Sequence, residues 1–121
     1  MEWAGAEGVC LIPFGGGTSV TRALEVPPLD VEPRPVVSVD MRKASTAAIL
    51  SFFFSLFMDR VLDVDVANGT AHIQAGVVGR KLAAELTKRG VTMGHEPDSL
   101  EFSTLGGWVA TRASGMKRGR W

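Results

Sequence analysis

The sequence predicts an α+β domain on three observations: strand-like apolar runs, an alternating stretch folded about Asn68-Gly69, and one amphipathic helical segment that closes at Gly90. With 121 residues the chain is long enough for one compact unit. Its 13 Lys and Arg balance 13 Asp and Glu, so no net field draws it to nucleic acid or to an anionic membrane. Cys10 is the single cysteine, which excludes an internal disulfide and a cysteine-based metal cluster, and its apolar neighbours predict a buried thiol. "MEWAGAEG" has neither the basic start nor the apolar run of a secretory signal, and "KRGRW" matches no peroxisomal tripeptide.

The first strand is read at Val9–Ile12, delivering three consecutive glycines at its end. "EVPPLDVEPRP" holds all but two of the prolines and predicts an extended surface excursion. "VVSVD", Val36–Asp40, is the next strand. In "VLDVDVANGTAHIQAG" the alternation on both sides of Asn68-Gly69 predicts a tight hairpin, with Leu62, Val64 and Val66 on one face and Ala71, Ile73 and Ala75 facing likewise in the partner. "RKLAAELTKRG" predicts the clearest helix: Leu82 and Leu86 repeat at helical spacing, Glu85 stands four before Arg89, and Gly90 stops it. A short strand, a loop and a short helix complete the order.

Ala44–Phe57 does not fit this order. It carries no charge, includes Phe52, Phe53, Phe54 and Phe57, and offers no polar face for a surface helix. At roughly half to two-thirds of the ~20 residues that span a bilayer, it is a poor transmembrane candidate. A buried helix and an inserted, aggregation-prone segment remain as readings.

Chemistry concentrates in two places. "IPFGGGTSV", Ile12–Val20, could bring bare amides and the Thr18 and Ser19 hydroxyls onto a phosphate. It lacks the lysine of a P-loop and the G-x-G-x-x-G of a dinucleotide fold, and a tight structural turn is the competing explanation. "GHEPDSLEFSTLGGWVATRASGMK", Gly94–Lys117, adds a turn, helix-start candidates Ser103 and Thr104, the pair Gly106-Gly107 and the hydroxyl-rich Thr111–Ser114. Two separated donor sets suit a long ligand with a pyrophosphate and a polyol.

Together these motifs closely resemble the FAD-binding domain of the alkyldihydroxyacetonephosphate synthase family, within the vanillyl-alcohol oxidase (PCMH) type of flavoproteins. The likeness extends through "VVSVD" and "VLDVDVANGTAHIQAGVVGRKL" and fails in the phenylalanine-rich block and the last few residues. It implies an α+β, partial FAD-binding domain over 1–121, with an insertion at 44–57 and the cap domain that acts on substrate lying outside the chain. Removing Ala44–Phe57 joins Lys43 to Met58 and restores the family pattern. The resemblance also leads one to expect a further strand and helix ahead of "GVCLIPFGGG", which this chain lacks.

Carried over by position, the resemblance implies that Pro13, Phe14, Gly15, Gly16, Gly17, Thr18 and Ser19 hold the FAD pyrophosphate. Asp98, Ser99, Leu100, Glu101, Phe102, Ser103, Thr104, Thr111, Arg112, Ala113 and Ser114 would line the rest of the cofactor. Many relatives attach flavin through a histidine beside the glycines; Thr18 stands there, so non-covalent FAD is expected. His72 and His95 are read as solvated or structural. No catalytic residue and no metal ligand is assigned. The implied reaction exchanges the acyl chain of acyl-dihydroxyacetone phosphate for a fatty alcohol in peroxisomal ether-lipid synthesis, with room for a homodimer of the complete enzyme. A fragment of an FAD-linked 2-hydroxy-acid oxidase or dehydrogenase, or a truncated product without function, are the alternatives.

Overall fold

The computed structural model describes residues 2–42 and 58–116. The expected insertion at Ala44–Phe57 and the final residues after Met116 lie outside them. A five-residue helix α1 (Glu2–Ala6) comes first, an element not anticipated from sequence. Ala4 is its one buried residue, and its carbonyl takes the Val9 amide at 2.8 Å, which feeds the chain into β1 (Cys10–Phe14).

β1 pairs in parallel with β2 (Val36–Asp40), Cys10 opposite Val36 and Phe14 opposite Asp40. Parallel neighbours need a long crossover. Residues 15–35 supply it without a helix, as the prolines require: the Pro28 carbonyl accepts from the amides of Val31 and Glu32. Arg34 grips Glu32 at 2.6 Å and holds its carboxyl down to about 2, with the Cys10 thiol adding a weaker hydrogen bond. Cys10 is therefore half-buried beside a carboxylate, not the buried core thiol the sequence predicts.

β3 (Val61–Asp65) and β4 (Thr70–Ile73) form a separate antiparallel hairpin. A register shift between Val61 and Asp63 breaks the expected alternation. Val61, Val64 and Ile73 pack on the core, whereas Leu62 and Val66 are exposed. The turn also differs: it spans 66–69, with Gly69 at φ 65° and Asn68 outside the left-handed region, so it is not the two-residue turn that needs positive φ twice. Asp65 steadies it by accepting from the Asn68 amide at 3.0 Å.

Helix α2 (Gly79–Thr87) buries Leu82 and Leu86, and Glu85 pairs with both Lys88 and Arg89. Gly90 ends it at φ 73°. Residues 91–96 are irregular, where a short strand is expected. Helix α3 (Leu105–Thr111) brings Trp108 against Val77, Leu82 and Leu86, and these four buried residues form the core.

Gly76 joins the two sheets. A Cβ there would strike the Met41 carbonyl oxygen and lie 2.7 Å from that of Met58, whose oxygen also accepts the Gly76 amide. Residues 41 and 58 thus approach one point, and a short link can join them. Deleting Ala44–Phe57 is expected to leave the strand signal in circular dichroism unchanged and to raise soluble yield. Loss of folding on deletion would show the block to be core.

Candidate functional site

Gly15–Gly17 carry the chain out of β1, and Phe102–Thr104 lies directly against them. A Cβ on Gly15 would collide with Thr104 Oγ1, and one on Gly16 with the Phe102 carbonyl oxygen. Gly17 adopts φ 70°, with the Phe14 ring edge 3.1 Å from where its Cβ would stand. Two of the glycines therefore admit the second motif, and the third turns the chain. The two stretches that carry chemistry in the sequence form one wall.

Among the described residues, the amides of Gly15, Gly16, Gly17 and Thr18 donate to no acceptor. Gly17 and Thr18 are exposed, and the other two are half-buried. Successive unpaired amides at the end of a strand are the donor set that an oxyanion takes up. Ser19 Oγ lies 2.9 Å from Thr21 Oγ1, so the hydroxyls beyond the turn pair with each other.

Thr104 fixes the opposite side. It is 2% exposed, caps α3 by accepting from the Gly107 amide at 3.3 Å, and bridges to Val78. That bridge is reinforced by Gly79 donating to Ser103 and Leu105 donating to Val77. The glycine loop thereby rests on the starts of both α2 and α3.

Other expected donors are engaged within the protein. Ser103 Oγ donates to the Ser99 carbonyl at 2.9 Å and accepts from Trp108 Nε1 at 2.7 Å. Thr111 Oγ1 donates to the Gly107 carbonyl one turn back. Neither hydroxyl proton faces outward as the sequence suggests, because each has a carbonyl within its own turn or helix. Asp98, Ser99, Glu101 and Phe102 are exposed, whereas Leu100 packs on the core below Gly79. Thr111–Ser114 stand at the far end of α3, about 10 Å from Thr104 by helix rise. Arg112 closes that helix at φ 52°, and Ala113 joins the core. Pro13 is exposed on β1, beside the turn. His95 meets the edge of Trp108 at 6.1 Å, and His72 lies exposed on the hairpin, both consistent with structural or solvated roles.

Gly76 and Arg42 escape the sequence reading, whereas Gly106 is singled out there with Gly107. Gly76 and Gly106 allow close backbone approach: Gly106 donates to the Ala75 carbonyl at 2.8 Å, and a Cβ on it would lie 2.7 Å from that of Ala75. Arg42 holds its guanidinium 5.0 Å from the Phe14 ring centroid while pairing with Asp40 at 3.3 Å. The Asp-x-Arg spacing signals the pairing, but no local pattern names the ring.

The profile of a family described as an FAD binding domain matches residues 1–121. Alkyldihydroxyacetonephosphate synthase of Caenorhabditis elegans is 47% identical over 121 residues, which are 100% of this chain and 18% of that protein. The Trypanosoma brucei brucei protein of the same name is 42% identical over 95% of this chain and 16% of its own length. A solved structure of an alkyldihydroxyacetonephosphate synthase superposes with a TM-score of 0.76 at 42% identity, over 94% of this chain and 18% of that one. The chain thus spans less than a fifth of the relatives it matches. Profile, relatives and backbone agree: this chain belongs to the FAD binding domain family, is similar over nearly its whole length to the alkyldihydroxyacetonephosphate synthases, and has FAD as its cofactor.

Proposed function

We propose that the chain is the diphosphate-holding part of the flavin domain of an alkyldihydroxyacetonephosphate synthase, the enzyme that exchanges the acyl group of acyl-dihydroxyacetone phosphate for a fatty alcohol. The observation that carries the cofactor part is the run of unpaired amides at Gly15–Thr18, backed by Thr104. These amides point their dipoles at a diphosphate, each hydrogen bond to a charged oxygen contributing about 1.5–3 kcal/mol. Asp98–Thr104 and Thr111–Ser114 line the remainder, through backbone and exposed side chains more than through the Ser103 and Thr111 hydroxyls. Thr18 offers no nucleophilic imidazole beside the glycines, which favours non-covalent attachment. When bound, the flavin supplies a covalent partner for the substrate with no net redox change.

The residues that position substrate lie outside this chain, so catalysis requires the whole protein. Peroxisomal location, acyl-dihydroxyacetone phosphate and fatty alcohol as substrates, and a homodimer of the full enzyme belong to the same reading, whose support is the similarity to the synthases.

FAD and riboflavin titrated separately into the full-length protein, followed by flavin fluorescence, test the cradle. FAD is expected to bind at one per chain and at least ~10-fold tighter than riboflavin, which has no phosphates. Equal affinities would mean that the amides do not serve a diphosphate. Alkyl-for-acyl exchange is expected from the full-length protein and none from residues 1–121 alone with FAD supplied; reduction of a dye by a 2-hydroxy acid instead would favour the oxidase alternative.

A further inference from the structure

Arg42 stands just past the end of β2, two residues beyond Asp40, and among the described residues its side-chain hydrogen bonds all go to Asp40. Asp40 Oδ1 accepts from the Arg42 amide at 2.9 Å and from its Nε at 3.3 Å, and Oδ2 accepts from Nη2 at 3.3 Å. The fork is thus held by the residue directly across the sheet from Phe14. It lies 5.0 Å from the Phe14 ring centroid. The Met41 amide donates to the Phe14 carbonyl at 2.9 Å, so ring and guanidinium are anchored at both ends. On its other side, the Phe14 ring edge lies 3.1 Å from where a Cβ on Gly17 would stand, the one glycine of the triplet with positive φ.

We propose that Arg42 is a positioning residue for the glycine loop: held by Asp40, it fixes the Phe14 ring, and the ring fixes the left-handed turn at Gly17 that aims the Gly15–Thr18 amides. The ligand in this proposal rests on the FAD reading above; the loop geometry does not. A guanidinium over an aromatic face contributes modestly at an exposed site and more when desolvated, and the Arg42 side chain is 29% exposed. Its opposite charge on Asp40 neutralises it, which argues for an orienting role over direct attraction of a phosphate. Arg42 has the geometry of a clamp.

The test is a double-mutant cycle in the full-length protein with Arg42→Ala, Phe14→Leu and both together. Two readouts are taken: FAD affinity, and the amide resonances of Gly15, Gly16 and Gly17 in ligand-free protein labelled selectively at glycine. Arg42→Ala is expected to weaken FAD about 3- to 30-fold and to shift the three resonances as Phe14→Leu does. In the Phe14→Leu background it should add less than about 2-fold, and Arg42→Lys should restore most of the affinity by keeping a cation over the ring. Arg42→Gln replaces Arg42→Ala if the latter fails to fold. A full loss from Arg42→Ala on top of Phe14→Leu would show direct contact with the ligand and overturn the proposal, as would unmoved glycine resonances. If the unsubstituted protein bound no FAD, the cofactor reading would fall while the resonances still decided the role of Arg42.

Discussion

Gly16→Val is expected to abolish FAD retention and to destabilise the domain in one step. An isopropyl group at that position runs into the Phe102 carbonyl and the Ser103 backbone, neither of which can rotate away as a flexible side chain could. Forcing the two segments apart costs about 1–3 kcal/mol as overpacking. It also drags on Thr104, whose cap on α3 is worth about 1 kcal/mol. Bound flavin measured by absorbance after gel filtration should fall below detection, with a lower thermal midpoint. Thr111→Ala is the contrast: its hydroxyl is exposed and bonds only within α3, so affinity should stay within about 2-fold. A folded Gly16→Val protein with normal FAD affinity would show that the two walls need not meet.

Trp108→Ala is expected to cost still more, about 3–5 kcal/mol for a buried aromatic, against a total of about 5–15 kcal/mol for a typical domain. The indole is 5% exposed, lies 2.5 Å from where a Cβ on Gly79 would stand, and shares the core with Val77, Leu82 and Leu86. Removing it separates α3 from α2 and leaves Ser103 Oγ without its donor. Urea unfolding should lose its cooperative transition or shift its midpoint sharply down. Trp108→Phe keeps most of the packing and loses only the N–H, so its drop should be about 1–2 kcal/mol. An alanine variant within 1 kcal/mol of the parent would mean that the core does not centre on Trp108.

The sequence shows well what depends on neighbours along the chain. β2 runs from Val36 to Asp40 as the apolar run suggests, and α2 ends where Gly90 says it must. Thr104 caps α3 as its residue type predicts. What fails is decided across space. Leu62 turns to solvent because a one-residue shift between Val61 and Asp63 resets its face, and Val66 because it falls in the turn past the end of β3; alternation alone carries no trace of either. Ser103 looks like a ligand donor because serine is one; that its hydroxyl is tied to Ser99 and Trp108 follows only from the turn at Ser99 and the first turn of α3. The glycine triplet is legible as a site of close approach. Sequence could not tell that the first thing to approach is the chain itself, at Phe102–Thr104.

These close approaches also set a timetable for the growing polypeptide. Gly15 meets Thr104, Gly106 meets Ala75, and Gly76 meets Met41, so the wall is stitched from segments that leave the ribosome far apart. At about 5–20 residues per second, the partners of the glycine loop follow it by roughly 4–18 s. Until then β1 and β2 stand as a two-stranded pair, which is marginal alone in water. The backing of the loop by Phe102–Thr104 is complete only when those residues emerge. On the proposed reading, flavin capture at the glycine loop waits on translation of Phe102–Thr104, and a pause between Ala75 and Phe102 prolongs the time for which the two-stranded pair stands alone.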